Sequence, residues 1–436
     1  MRLSKKKTDI LIAGAGIAGC AAANELQANG IDYLLVEKNI EPGGLTRSIS
    51  IDDAYFDYTG HFLNLARFKS PASLPHANLN DEDWMLVERK SSVFIDEEMV
   101  PAPLQYNLYY LPEALREKCI MAFRNRPKLK KIISFKEYLQ AGFGRGICDF
   151  FLFPYNEKIM DCNIEELSVE SVKRFFPIPD PDMIERGYSI EGENLLTGYN
   201  STFWYPKRSG IGLLAKGLAE NLNNLLICCP VEKIDLNSRC AYTRGGKIYF
   251  ERMLTSIPLK RFCTLTNDPE LHNLAAALRH TRVFCLNVLF KGIPPKVFKG
   301  SHWIYIPDKK VPFYRVGIYS HISPNMNPKR TTAFYVEVAF SDNKTLPVMS
   351  TLLDEIFFCL EKVGWAKRQM CTVLTANWID CAYVYFDHNR KETVEKIFNK
   401  LSHNKIHPIG RYGLWDYITM EDAIISGIET ARILVQ

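Results

Sequence analysis

Several features are missing from these 436 residues, and each absence narrows the reading. No stretch of about eighteen apolar residues runs without charge, so no membrane-spanning helix is expected. Twelve cysteines are present, yet no Cys-x-x-Cys pair occurs, and Cys228 and Cys229 are adjacent, a poor geometry for an ordinary bridge. With neither metal nor disulfide spacing, they read as reduced, mostly buried thiols of a cytoplasmic protein, and no metal is expected. An excess of one charge sign is also lacking. The net charge is only +5 and is spread along the chain, which argues against a dedicated nucleic-acid binder while suiting an anionic small-molecule substrate. The first strand begins within eight residues of the start, so no signal peptide is expected ahead of the fold.

What is present is ordinary for a globular enzyme with ample core: 47% apolar and 24% charged residues. The length favours two intertwined domains over one small core. The stretch that organises the chain is residues 8–47. Thr8-Asp9-Ile10-Leu11-Ile12-Ala13 has the length and apolarity of a buried strand. Gly14-Ala15-Gly16-Ile17-Ala18-Gly19 follows directly, then small and helix-favouring residues from Cys20 to Leu26. A second strand-like run, Tyr33-Leu34-Leu35-Val36, ends in Glu37. Strand, glycine turn, helix, strand and acid together form a dinucleotide-binding fingerprint. Gly14 allows the tight turn, Gly16 lets backbone approach a pyrophosphate, and Gly19 lets helix and strand pack closely. The helix N-terminus faces the anion, and Glu37 can accept hydrogen bonds from a ribose diol.

The continuation through Lys38 to Gly43-Gly44-Leu45-Thr46-Arg47 resembles the FAD-binding flavoproteins of the amine oxidase, protoporphyrinogen oxidase and UDP-galactopyranose mutase superfamily. The resemblance implies FAD as cofactor, with Gly43, Gly44, Leu45, Thr46 and Arg47 along its pyrophosphate and ribityl chain; Arg47 read alone could be a surface cation. It extends to Phe56-Asp57-Tyr58-Thr59-Gly60-His61, where Gly60 and His61 would lie against the flavin ring. The unperturbed pKa of histidine lies near physiological pH, so His61 could tune the ring's charge or donate to it. A core histidine holding the turn is the other reading.

Further resemblances lie at Tyr205-Pro206-Lys207, at Val231, whose backbone would meet the adenine, and at Gly410-Arg411 with Tyr417 and Met420, implied to contact the ribityl and pyrophosphate groups. The implied fold class is α/β: a Rossmann-like FAD-binding domain with a parallel sheet and ββα layering, interleaved with a substrate domain of antiparallel sheet plus helices. Residues 1–66, 202–265 and 385–436 are expected in the first domain, and residues 67–201 and 266–384 in the second. Arg174 and Arg315 are the anion-binding candidates of the substrate domain, since a guanidinium suits bidentate contact with phosphate or carboxylate. Tyr205, Tyr383 and Tyr385 are the further substrate candidates, and His61 and Arg315 the catalytic ones. Helices are expected over 111–121, 167–176 and 348–363, and a continuous strand over 225–236. The Phe150-Phe151-Leu152-Phe153 run reads as core helix, with membrane contact as the other reading.

Three functions remain open on these residues: an FAD-dependent oxidoreductase acting on a polar or anionic compound related to glycans or nucleotide sugars, a mutase-like isomerase using reduced FAD on a nucleotide sugar, and a flavin-binding protein without turnover.

Overall fold

The computed structural model describes residues 7–170, 179–189, 201–293 and 296–435. Arg174 therefore lies outside the described residues, as does most of the helix expected over 167–176. Leu167 and Ser168 at its start make single bridges to Asp387 and Ser134.

Five parallel strands form the backbone of the first sheet: Leu225–Leu226, Tyr33–Val36, Lys7–Ala13, Gly246–Thr255 and Ile406–Pro408, in that spatial order. Val231–Asp235 and Cys240–Thr243 extend it as antiparallel neighbours. Lys7–Ala13 is central, and its alternating side chains serve two cores. Ile10 and Ile12 pack with the helix Ile17–Ala28 on one face, while Leu11 and Ala13 pack with Ile248, Phe250 and Leu259 on the other. A strand covered on both faces must be apolar throughout, which explains the unbroken run at its centre.

The continuous strand expected over 225–236 is broken in two. Cys228 takes a left-handed φ of +53° and Pro230 has no N–H to give, so pairing stops and resumes at Val231. The helix expected over 111–121 runs Glu113–Arg124, with Pro112 just ahead of it, and the one expected over 348–363 is Met349–Lys362. The Phe150 region is helical, as a wide turn Cys148–Leu152 leading into the helix Phe153–Met160.

The second sheet orders Cys371–Ile379, Thr281–Lys291, Thr331–Ser341, Arg315–Ile318, Trp303–Tyr305, Ser91–Ile95 and Glu98–Pro101. It is antiparallel except where Trp303–Tyr305 runs parallel to Ser91–Ile95. Its two faces have different tasks. Phe284, Leu286, Val288, Val316, Ile318, Phe334 and Val336 pack against Leu352, Ile356 and Phe357 of the helix Met349–Lys362. The residues between them, including Cys285, Asn287, Arg315, Tyr335 and Glu337, face the opposite way.

The helix Ile17–Ala28 is crossed by the C-terminal helix Met420–Val435 at small residues. A Cβ on Gly427 would lie 2.2 Å from the Ala18 carbonyl oxygen. Gly427→Ala is expected to cost about 1–3 kcal/mol by forcing the helices apart. Chemical denaturation of the purified variant would measure this, and an unchanged midpoint would refute the crossing.

Candidate cofactor cradle and adjoining polar pocket

The glycine turn is built as its residue types require. Gly14 sits at φ +100°, and its N–H donates to the Val36 carbonyl at 2.9 Å, tying the turn to the neighbouring strand. Gly19 packs so tightly that an added Cβ would fall 2.0 Å from the Gly14 carbonyl oxygen. Ala18 follows the same helix and meets Gly410, where a Cβ would fall 2.7 Å from that of Ala18. Gly43 and Gly44 take φ of +114° and +58°. Gly43 bridges to Gly16, with its N–H donating to the Ala15 carbonyl at 2.6 Å, and the Thr46 hydroxyl closes the turn on the Gly43 carbonyl at 2.7 Å.

Gly16 differs from its neighbours. Its φ of −68° suits any residue, and a Cβ placed there would meet nothing within 4 Å. Packing within the chain therefore does not explain a glycine here. It stands at the N-cap of the helix Ile17–Ala28, which has no side-chain cap and no acid in its first turn. Open space before an uncapped helix N-terminus is where an anion binds best.

Glu37 is buried and locks the turn. Its carboxylate accepts from the Ala15 N–H at 2.8 Å and the Asn39 N–H at 3.0 Å. Lys38, the next residue, is exposed. The Cys229 N–H donates to the Glu37 carbonyl at 2.7 Å, which brings Val231, two residues on, to the same end of the sheet. The Arg47 Nε donates to the Gly44 carbonyl at 2.8 Å and its guanidinium lies 4.3 Å over the Tyr58 ring. Leu45 is half-buried between these turns.

Beyond Tyr58 the chain enters a buried polar cluster shared with the second sheet. Asp57 is fully buried and accepts from Ser48 Oγ at 2.5 Å, Tyr205 Oη at 2.6 Å and the Ile211 N–H at 2.9 Å. Burial raises its pKa to about 6 against those hydrogen bonds. Tyr205, expected to touch substrate, has no accessible surface and spends its hydroxyl on Asp57, so its place is structural. The Asn287 amide donates at 2.9 Å to the Asp57 carbonyl. The Thr59 hydroxyl donates to Glu337. Gly60 lies over Tyr335, where a Cβ would fall 2.1 Å from the phenol oxygen.

Strand register sets one side of this cluster. Tyr305, Arg315, Glu337 and Cys285 stand in one row across four strands, and Trp303, Gly317, Tyr335 and Asn287 in the next. Gly317 leaves room for the Tyr335 ring, which a Cβ there would meet at 2.0 Å. Arg315 Nε donates to Glu337 Oε2 at 2.7 Å. Burial opposes the Arg315 charge and Glu337 more than offsets it, holding the guanidinium protonated. Arg315 is thus half of a buried ion pair, not a free cation. Tyr383 Oη lies 3.5 Å from Tyr314 Oη, and the Tyr383 ring stands 6.2 Å from that of Tyr417. Tyr385 is almost wholly enclosed and gives its hydroxyl to the Met160 carbonyl, which removes it from the substrate-facing set.

His61 lies where the two halves meet. Its Nδ1 is buried without a hydrogen-bond partner among the described residues. Burial first, then the nearby charge of Arg411, lowers its pKa to about 4, with Glu337 opposing and Arg315 adding to the depression. The expectation of a histidine poised near physiological pH gives way to a neutral imidazole. Arg411 follows Gly410, its guanidinium 4.7 Å over the Tyr417 ring and its NH1 donating to the Ile418 carbonyl at 3.3 Å. Met420 opens the C-terminal helix just beyond. Thr59, Tyr335, Glu337 and Asn287 were not singled out from the sequence. The one available signal was a lone glutamate inside the otherwise apolar strand Thr331–Ser341.

Two outcomes are expected. Because the folded pKa of His61 is below its ordinary 6.5, its share of stability is intact above about 6.5 and is lost as pH falls towards about 4. Histidine NMR on the cofactor-free protein should show His61 neutral at pH 6; a titration midpoint near 6.5 would contradict this. Glu337→Ala should cost about 3–5 kcal/mol by leaving Arg315 buried and unpaired, and adding Arg315→Met should regain most of it. Denaturation of both variants tests this, and equal stability of the single variant and wild type would refute the pair.

Comparison with known proteins places this geometry. Residues 12–72 match the family of NAD(P)-binding Rossmann-like domains. The whole chain is similar to a solved structure of reduced UDP-galactopyranose mutase, at 24% identity and a TM-score of 0.90, covering 98% of this chain and 94% of that one. A protein provisionally assigned as a protoporphyrinogen oxidase, from Exiguobacterium sp. 255-15, aligns at 17% identity and a TM-score of 0.74 over 100% of this chain and 99% of that one. Substrate-bound putrescine oxidase aligns at 14% and 0.59, over 98% and 99%. Alternating layers, glycine turns and end-to-end coverage agree: the chain has the fold shared by these three solved structures.

Proposed function

We propose that this chain is an FAD-dependent oxidoreductase acting on a polar or anionic small molecule, with glycan or nucleotide-sugar compounds as the substrate class. The observation that carries the reading is Gly16, a glycine that the chain's own packing does not require, at an uncapped helix N-terminus. The residues present fit the cofactor. Gly14, Gly16, Ala18, Gly19, Gly43, Gly44, Leu45, Thr46 and Arg47 would cradle its pyrophosphate and ribityl chain, with Gly410, Arg411, Tyr417 and Met420 closing over it. Glu37 would take the ribose, with Lys38 beside it and Val231 at the adenine. The proposed cofactor domain is residues 1–66, 202–265 and 385–436, and the proposed substrate domain is the remainder.

When bound, FAD supplies the hydride acceptor. The chain supplies position and electrostatics. A neutral His61 can donate one hydrogen bond and accept another beside Gly60, while Arg411 and the Arg315–Glu337 pair set the field around it. The Tyr314 phenol is held neutral, since burial raises its pKa well above its ordinary value, and its hydroxyl lies 3.5 Å from that of Tyr383, nearer the rim. The cationic side of that rim suits an anionic group. Among the described residues no helix is long and apolar enough to cross a membrane. The free cysteines support a reducing, cytoplasmic compartment.

A second reading is favoured by the near-complete overlay with the mutase: isomerisation of a nucleotide sugar beside reduced FAD, without net oxidation. Dithionite reduction followed by titration with UDP-sugars separates the two. The oxidoreductase reading expects UDP-sugar affinity to be the same in both redox states, together with reoxidation kinetics that depend on an external acceptor. Binding that tightens on reduction would transfer the assignment to the mutase.

A further inference from the structure

A second concave site lies away from the glycine cradle and shares no residue with it. It is a cavity of about 440 Å³ between the turn after the strand Thr281–Lys291, the short turn Lys296–Phe298 and residues 319–331. Lys296, Lys299, Lys329 and Arg330 line it, with His321 among them, and no acidic side chain does. All four long cations are exposed, and none is in an ion pair among the described residues, whereas Lys260, Arg315 and Lys344 are paired with Asp342, Glu337 and Asp161.

The walls are fixed independently of any ligand. Asn327 Nδ2 donates to the Thr331 carbonyl at 2.9 Å, and Ser320 Oγ donates to Asn327 Oδ1 at 2.8 Å while accepting from the Ala333 N–H at 2.8 Å. The Gly292 N–H donates to the Arg330 carbonyl at 2.9 Å, joining the two turns. His321 Nδ1 donates to the Ser301 carbonyl at 2.7 Å, which leaves Nε2 for another partner. Lys299 and Arg330 both stand at left-handed φ, +47° and +62°, where glycine or asparagine would be less strained. Four like charges gathered in one concavity repel one another, and an anion seated among them removes that cost.

We propose that this cavity binds a phosphate group, carried either by a phosphorylated small molecule or by a lipid headgroup. Arg330 offers the planar fork that suits two phosphate oxygens, and the lysines offer point charges around it. Ile293 at the rim is 71% exposed and lies where the apolar part of such a ligand would begin. The site stands whether or not the flavin reading does.

The test uses the full chain supplied with FAD, so that any dinucleotide cleft is filled. Inorganic pyrophosphate is titrated by calorimetry, and phosphatidylcholine vesicles with and without phosphatidylglycerol are tested by co-sedimentation. The variant Lys296→Gln, Lys299→Gln, Lys329→Gln, Arg330→Gln should bind on the order of tenfold more weakly or worse, because several charge-assisted contacts are removed together. A control removing four exposed lysines elsewhere, Lys247, Lys310, Lys362 and Lys391, should bind as wild type does. Pyrophosphate binding that the first variant loses and the control keeps identifies a soluble phosphate ligand; vesicle binding alone with that pattern identifies a headgroup. Binding of neither probe at low ionic strength, or equal loss in variant and control, overturns the proposal.

Discussion

Residues 57–61 are fastened between the two sheets by buried polar contacts, and every feature of the polar pocket depends on that fastening. The Asp57 carboxylate holds Ser48, Tyr205 and Ile211 on the dinucleotide side. Its carbonyl accepts from Asn287, and Thr59 donates to Glu337, on the side of the second sheet. Each hydrogen bond contributes on the order of 1 kcal/mol, but an orphaned buried carboxylate would cost considerably more. The segment is therefore held by what its removal would expose. Gly60 is the necessary residue between these anchors because Tyr335 occupies the space a side chain would need.

That placement turns a structural seam into a site. The glycine turns end at Gly16, Gly43, Gly44 and Gly410, and the second sheet contributes a face on which Arg315, Glu337 and Tyr335 are neighbours by register. His61 lies between them, neutral because burial and two guanidinium groups oppose its protonation. A neutral imidazole can donate one hydrogen bond and accept another without adding a full charge. The buried Arg315–Glu337 pair holds a dipole in place rather than offering a free cation. Arg411, which makes no ion pair among the described residues, is held by a neighbouring carbonyl and two aromatic rings.

The glycine turns were legible because their pattern is local: strand, turn, helix and acid fall within forty residues. The second sheet was legible as alternating strands, but its site face was not. Glu337 acquires meaning only when Thr331–Ser341 pairs with Arg315–Ile318, a register fixed by packing on the helix Met349–Lys362. Tyr205 and Tyr385 misled for a related reason. Polar aromatic residues near a cofactor segment read as ligand contacts, yet both hydroxyls satisfy buried acceptors, Asp57 and the Met160 carbonyl. The break at residues 227–230 was visible in Pro230 and was overridden by the apolar pattern around it.

The central claim is that Gly16 is glycine for the sake of a bound dinucleotide. The measurement that tests it most directly is the flavin content of wild type and Gly16→Ala, purified in parallel, incubated with FAD and followed by absorbance and thermal unfolding. A Cβ at this position meets nothing in the chain and its φ is ordinary, so the variant should fold with an unchanged transition and lose its FAD. Wild type without flavin after incubation, or a variant that keeps its full complement, would contradict the account.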